Sequence, residues 1–564
     1  MGPVRVAAVQ FAAGLDVPRN LAACLRLVDR AAARGARVIV LPEFCNRLSW
    51  YEDRESARRH ACTLDGPFLA AVSARAAAHR AHVKVNVTLA GAGGRVTVSS
   101  LLYGPDGALL GRSDKLTLMG AEGDHLDPGT AAGPVVATPH GRLAMYACME
   151  GVTSDVPRDL AVRGAQVLLN SLNSFATDEA GLHVPVRAAE NRVWVVAANK
   201  VGPLLPAAPL PAIAERLGVP PDLLDGAGES QIVAPDGTVV AKAPRTGEAV
   251  VVADIDPSLA DRKTRPDGTD LFAARRPRLY APIVRQPRPR AAPPGAAKVD
   301  VAVVRSPGLV RRAARAGAEL IVLPELAFGA EADAGDVVKE LAEALEGTTA
   351  HAVTTVRDGA AHAAYLVNAG GLAGRQLQLH ASARHSGWAT EYGEEVGVFT
   401  LPWGRLALVT GDDALYPEVF RLAAIADADA VAVPFTPAED WETALGLPER
   451  AAENRLNVVA AGPDGGLILA LPADFTLWTA WAGPFEGRIS HPLVTRAAEP
   501  VTVAAVHPAQ AVNRLVSKNT DLVGGRPAHA LAALAADTVP ADTVPAHAMP
   551  TPTERSASLK ETRS

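Results

Sequence analysis

Short apolar runs rich in valine and leucine alternate with alanine- and arginine-rich amphipathic segments from residue 4 to about residue 280. Val38-Ile39-Val40-Leu41, Val83-Lys84-Val85-Asn86-Val87, Val167-Leu168-Leu169 and Val193-Trp194-Val195-Val196-Ala197 read as strands. Residues 19–34, 68–80 and 155–163 space their apolar positions as helices that cover those strands. Strands alternating with helices predict an α/β architecture. Residues 283–298 then form a Pro/Arg-rich linker with almost nothing to bury.

Beyond the linker the pattern starts again. VDRAAARGARVIVLPEF (28–44) returns as VRRAARAGAELIVLPEL (310–326), so Glu43 matches Glu325. RAAENRVWVVAANK returns as RAAENRLNVVAAGP, and Gly141-Arg142-Leu143-Ala144 as Gly404-Arg405-Leu406-Ala407. Arg187 and Gly141 both recur 263 residues on, as Arg450 and Gly404. Agreement at separated places indicates an internal duplication. From residue 528 the sequence becomes small and repetitive, ADTVP occurring twice in succession, and a disordered tail is expected over 528–564.

Composition changes this picture little. At 564 residues the chain exceeds one hydrophobic core, which suits two copies. A net charge of -6 gives no reason to expect nucleic acid or an acidic membrane surface as a partner. No apolar run is long enough to span a bilayer, and the N-terminus lacks a signal-peptide layout, so a cytoplasmic location is expected. The cysteines Cys24, Cys45, Cys62 and Cys148 show no CxxC spacing. His79 and His82 have an H-x-x-H spacing without an expected carboxylate partner, and no phosphate loop, GxSxG elbow or HExxH occurs. The expectation is therefore no metal and no cofactor.

Within the first copy, Glu43, Lys115, Glu122, Cys148 and Glu150 stand out as polar residues amid apolar sequence. Glu43 follows a strand and a proline, where an unpaired carboxylate would be costly. Cys148 ends an apolar run and is followed at once by Met149, Glu150 and Gly151. A cysteine nucleophile needs a base for its proton, and a nearby cation lowers its pKa. A tetrahedral intermediate on its sulfur needs donors aimed at the oxyanion.

Three segments in order, Leu41-Pro42-Glu43-Phe44, Asp114-Lys115-Leu116 and Tyr146-Ala147-Cys148-Met149-Glu150, resemble the signatures of the nitrilase, or carbon–nitrogen hydrolase, superfamily. Arg158, His183, the Arg187–Asn191 segment, residues 228–237 and Arg275–Tyr280 resemble its supporting elements. The resemblance covers residues 4–282 and, in degenerate form, 299–527. It implies two tandem four-layer α-β-β-α sandwich domains: a catalytic unit (1–282) and a degenerate unit (299–527). It also implies roles. Cys148 would be the nucleophile, Glu43 the general base, Lys115 the oxyanion donor aided by the backbone N–H of Met149, and Glu122 the second glutamate that positions substrate. Glu150 would support the turn.

In the second copy Lys115 becomes Gln378, Glu122 becomes His385, Cys148 becomes Gly411 and Glu150 becomes Asp413, while Glu325 remains. Tyr416-Pro417-Glu418 and Arg421 keep the scaffold segment. The expectation is one active site, with the copies paired inside one chain as a pseudo-dimer and further homo-oligomerisation left open. The expected activity is cysteine-dependent hydrolysis of a small-molecule amide through a thioester. Nitrile hydrolysis, N-acyl transfer and a non-catalytic binding scaffold are the alternatives. Val152 stands where several ureido-acid hydrolases carry a carboxylate-clamping arginine, which disfavours such substrates. The Pro/Leu-rich segment 203–225 is either a lid or a plain surface excursion.

Overall fold

The computed structural model describes residues 2–473, 487–488, 490–537 and 543–545. Four large sheets arise in two matching pairs. In the first sheet the strands run Ala249–Ile255, Val4–Gln10, Val38–Val40, His82–Ala90, Val96–Tyr103 and Leu109–Asp114 from edge to edge. Its centre is parallel and its flanks antiparallel. The second sheet places Gly141–Ala147, Val167–Ser171 and Trp194–Ala198 side by side in parallel. The second half repeats both. Val501–Val506, Val299–Val304, Leu320–Val322, His351–Asp358, Ala361–Asn368 and Gly371–Leu377 follow the first order. Val398–Leu401, Gly404–Leu408, Ala430–Pro434, Asn457–Gly462, Gly465–Ala470 and Leu493–Ala497 follow the second.

Strand alternation explains the four layers. Val4, Val6 and Ala8 face inward and pack with Leu143, Met145, Val167 and Leu169 of the opposing sheet. Ala7 and Val9 face the other way, toward Cys24, Leu27 and Val28 of the helix Val17–Ala33 and Phe68, Leu69 and Val72 of Pro67–His79. The outer face of the second sheet is covered by the helices Asp155–Val162 and Val184–Asn191 through Leu160, Val184 and Ala188. The second half has the same three interlayer cores. Each half is thus helix, sheet, sheet, helix, as expected.

The halves meet through equivalent helices, and their ion pairs are reciprocal. Arg158 Nε lies 2.9 Å from Glu418, and its counterpart Arg421 lies 3.0 Å from Asp155. Arg187 pairs with Glu453 at 2.9 Å and with Glu449, and Arg450 pairs with Glu190. Such exchange is the mark of an isologous contact, here inside one chain. All these side chains are buried.

Two expectations need correction. Residues 528–537 are not a disordered tail: Leu531 and Leu534 are buried against Leu160 and Tyr280, because this short stretch still holds apolar anchors. Residues 543–545 extend the second sheet by pairing with Val135–Ala137; residues 538–542 and 546–564 lie outside the described residues. The segment 283–298 is likewise no empty spacer. Ile283 is buried, and Arg288 and Arg290 pair with Asp427 and Asp429 of the second half. Among the described residues no helix is long and apolar enough to cross a membrane.

Candidate active site

Strand ends of the two facing sheets bring the predicted residues together. Glu43 follows the central strand Val38–Val40, and Lys115 follows Leu109–Asp114. Cys148 follows Gly141–Ala147 of the opposite sheet. Cys148 has φ +50°, a left-handed conformation that costs a non-glycine residue of order 1–3 kcal/mol. The turn holds it there. Cys148 N–H donates to Asn170 Oδ1 at 3.2 Å, and Arg187 Nε donates to the carbonyl of Gly151 at 2.9 Å.

Lys115 links two carboxylates. Its Nζ lies 2.9 Å from Glu43 Oε1 and 2.8 Å from Glu122 Oε2. The contact with Glu43 is an ion pair without hydrogen-bond alignment, so both Glu43 oxygens are buried and unpaired by hydrogen bonds. Burial, reinforced by Glu122, raises the Glu43 carboxyl despite the opposing charge of Lys115. Burial pulls the Lys115 ammonium down, but Glu122 and Glu43 outweigh it and hold Lys115 well above its ordinary value. Burial also pushes the Cys148 thiol well up; Glu43, Glu179 and Glu122 add to this, while Lys115 opposes it. The resting arrangement is a neutral thiol beside a desolvated carboxylate and a permanent cation.

Glu122 is seated by the backbone N–H of Met119, which donates to its Oε2 at 2.9 Å. The second half closes this loop. Gly120 N–H donates to Thr520 Oγ1 at 2.8 Å, Thr520 Oγ1 lies 3.1 Å from the carbonyl of Leu118, and Lys518 pairs with Asp124.

Glu150 acts on the backbone. It accepts from Leu116 N–H at 2.8 Å and Ala147 N–H at 2.7 Å, tying the cysteine turn to the Lys115 strand. Its counterpart Asp413 accepts from Leu379 N–H at 2.7 Å, so the brace persists where Lys115, Glu122 and Cys148 are replaced. Burial moves the Glu150 carboxyl up to about 7. Cys45, by contrast, buries its Sγ against the carbonyl of Pro42 at 3.0 Å.

Met149 and Val152 join an apolar cluster with Ala176, Ala214, Val219 and Leu224, the last three from beyond the turn and from the 203–225 segment, plus Val516 and Leu522 of the second half. That segment folds as a hairpin strand, the helix Leu210–Leu217 and a short helical turn, all packed beside the cysteine turn.

Sequence reasoning missed Lys84, Lys200 and Glu179. Lys84 Nζ reaches Ser171 and the Tyr146 carbonyl between the sheets, and burial lowers it to about 7. Lys200 lies 5.6 Å over the Phe44 ring, lowered by burial to about 8. Glu179 is raised by burial to about 7. A lysine inside an apolar strand was the available signal for Lys84; the other two acquire their setting only through tertiary packing.

Residues 5–264 match the family model for carbon-nitrogen hydrolases. The first copy is a carbon–nitrogen hydrolase domain. The chain is accordingly a hydrolase of carbon–nitrogen bonds other than peptide bonds. It is 28% identical over 278 residues to a nitrilase of Pyrococcus abyssi, covering 49% of this chain and 99% of that one. It is 26% identical over 302 residues to the N-carbamoylputrescine amidase of Arabidopsis thaliana, covering 49% and 94%. Among solved structures, an amidase from Nesterenkonia sp. is similar with a TM-score of 0.38 at 22% identity, covering 46% and 94%. Within the hydrolase domain, His183, Arg158 and Arg187 do not line the site: His183 Nδ1 lies 2.9 Å from Glu449, and all three serve the contact between halves.

Proposed function

We propose that this hydrolase cleaves a small, uncharged amide through a thioester on Cys148. The observation that carries the reading is the buried Glu43–Lys115–Glu122 chain facing a cysteine held in a left-handed turn. Glu43 takes the thiol proton as Sγ attacks the carbonyl carbon. Lys115 Nζ and the Met149 backbone N–H receive the developing oxyanion. Glu43 returns the proton to the departing amine, and the thioester remains. Water then gives its proton to Glu43, attacks the acyl carbon and releases the acid with free Cys148. Glu122 keeps the ammonium in place throughout.

The apolar neighbourhood of Met149 and Val152 favours an acyl group without charge. Nitrile hydrolysis would use the same sulfur attack, and acyl transfer would replace water by an amine. We take residues 1–282 as the catalytic unit, 299–527 as its non-catalytic companion, and the reciprocal contact as the pair that supports the site. Ammonia release from a panel of aliphatic amides, ureido acids and nitriles tests the reading. Turnover of neutral amides by the wild type, lost in Cys148→Ala and Glu43→Gln, is expected; a panel led by nitriles or carboxylate-bearing ureido acids overturns the substrate assignment.

A further inference from the structure

The degenerate site of the second half has not simply emptied. Glu325 keeps the place of Glu43, and Leu326 after it keeps the left-handed φ of +51° that Phe44 has at +53°. His385 stands where Glu122 does, Gln378 where Lys115 does, and His362 enters from the strand Ala361–Asn368. Gly411 replaces the cysteine at φ +53°. A Cβ there would collide with Glu325 Oε1 and come within 2.9 Å of His362 Cε1. Loss of the cysteine side chain is what lets these two groups approach.

A chain of hydrogen bonds fixes the imidazoles. Gln378 Nε2 donates to the His380 carbonyl at 2.7 Å, which turns its Oε1 toward the histidines. That oxygen accepts from His362 Nδ1 at 2.7 Å and from His385 Nδ1 at 3.1 Å. Both rings therefore carry their proton on Nδ1 and present an Nε2 lone pair on the far side. Those lone pairs converge on Glu325 Oε1, at 3.8 Å for His362 and 3.4 Å for His385. His362 is fully buried and its Nε2 has no hydrogen-bond partner. Arg384 Nη2 also reaches Glu325 Oε1, at 3.1 Å, while the two imidazole lone pairs face it with no proton between them.

We propose that Glu325, His362 and His385 bind one divalent transition-metal ion of the zinc class. Their donor atoms lie within 4.8 Å of one another. A tetrahedral ion with bonds of about 2.0–2.1 Å needs donors roughly 3.3 Å apart, so closure takes only small side-chain shifts. Two imidazoles and a carboxylate suit zinc better than calcium or magnesium, and a fourth position is left to water. Gln378 plays the part of an outer-shell acceptor that sets the tautomer of a ligating histidine. Arg384 bonds both Glu325 oxygens, at 3.1 and 2.8 Å, and Asp412 at 2.8 Å, and Arg265 pairs with Asp412 at 3.0 Å. The first half balances its buried glutamates with Lys115; the second meets Glu325 with Arg384 and sets two histidines beside it. Among the described residues, this is the one group of three or more such side chains whose donor atoms converge. The ligands come from separate elements, which hid the site in the sequence.

The test uses the full chain without a histidine tag, stripped by chelator and dialysed against zinc chloride or cobalt chloride. Elemental analysis should find about one ion per chain, and cobalt should give visible bands of a low-coordinate N/O site. His362→Ala and His385→Ala should abolish both signals, and Gln378→Ala should weaken affinity about 10–100-fold. The melting temperature of the chelated wild type should rise on adding zinc, a readout that needs no variant to fold. The amide turnover of the first half is not used. Wild-type protein that takes up no stoichiometric zinc and shows no shift in melting temperature, or variants that bind as the wild type does, would overturn the proposal.

Discussion

Replacing Glu418 by alanine removes one carboxylate from the centre of the contact between halves. Glu418 accepts from Arg158 at 2.9 Å and lies 3.3 Å from Arg275, with side-chain exposures of only 2% and 6% for the two arginines. Burial disfavours its charge, yet Arg158 and Arg275 prevail and hold the carboxyl at about 2. Against an ordinary value of about 4.5, that displacement corresponds to about 3 kcal/mol. Deleting one partner of a buried pair typically costs about 3–5 kcal/mol, because the guanidinium is left desolvated. The two estimates agree. Thermal unfolding should therefore shift down by roughly 10 °C, at about 2–4 °C per kcal/mol for units of this size. Since the folded pKa is depressed, this stability is present above pH ~4.5 and is lost as pH falls toward 2. Scanning calorimetry of wild type and Glu418→Ala at pH 7 and pH 3 measures both effects. A shift below about 2 °C at pH 7, or a gap between the two proteins that widens in acid, refutes the reasoning.

Other outcomes follow from the same geometry. Lys115→Gln, which copies the second half at this position, should lower kcat by about 10²–10³ and, because it strands two buried carboxylates, should also lower the melting temperature by several degrees, as measured by steady-state kinetics beside calorimetry. Thr520→Val strands the Gly120 N–H and the Leu118 carbonyl and should lower kcat/KM for amides several-fold through the Glu122 loop, although Thr520 belongs to the second half. The acid limb of kcat/KM should lie above the ordinary glutamate value of about 4.5, because Glu43 must be a carboxylate to take the proton and burial raises it. A limb at or below that value argues for a different base.

The strands and the residues the structure gathers at their ends, Glu43, Lys115, Glu122 and Cys148, were readable because both rest on local pattern. Val38–Leu41 is apolar throughout since both of its faces are covered, and Cys148 stands at the end of such a run. The repeat supplied a control: Lys115, Glu122 and Cys148 change together while Glu150 becomes Asp413, which makes the same brace. What stayed hidden depends on partners far along the chain. RAAEN is visible twice, but nothing local says that Arg187 answers Glu453 while Arg450 answers Glu190. Residues 528–537 look too small and repetitive to order, yet two leucines suffice once a groove beside Leu160 exists. The choice left open for 203–225, lid or excursion, resolves toward packing beside the cysteine turn, because Ala214 and Leu224 meet Met149 and Val516 there.

The most direct test of the account is the mass of the intact protein quenched during turnover of a neutral amide. The account predicts an acyl adduct whose mass follows the substrate, mapped by peptide analysis to Cys148 and missing in Cys148→Ala. Steady product formation with Cys148 unmodified under every quench, or full activity retained in Cys148→Ala, would contradict it.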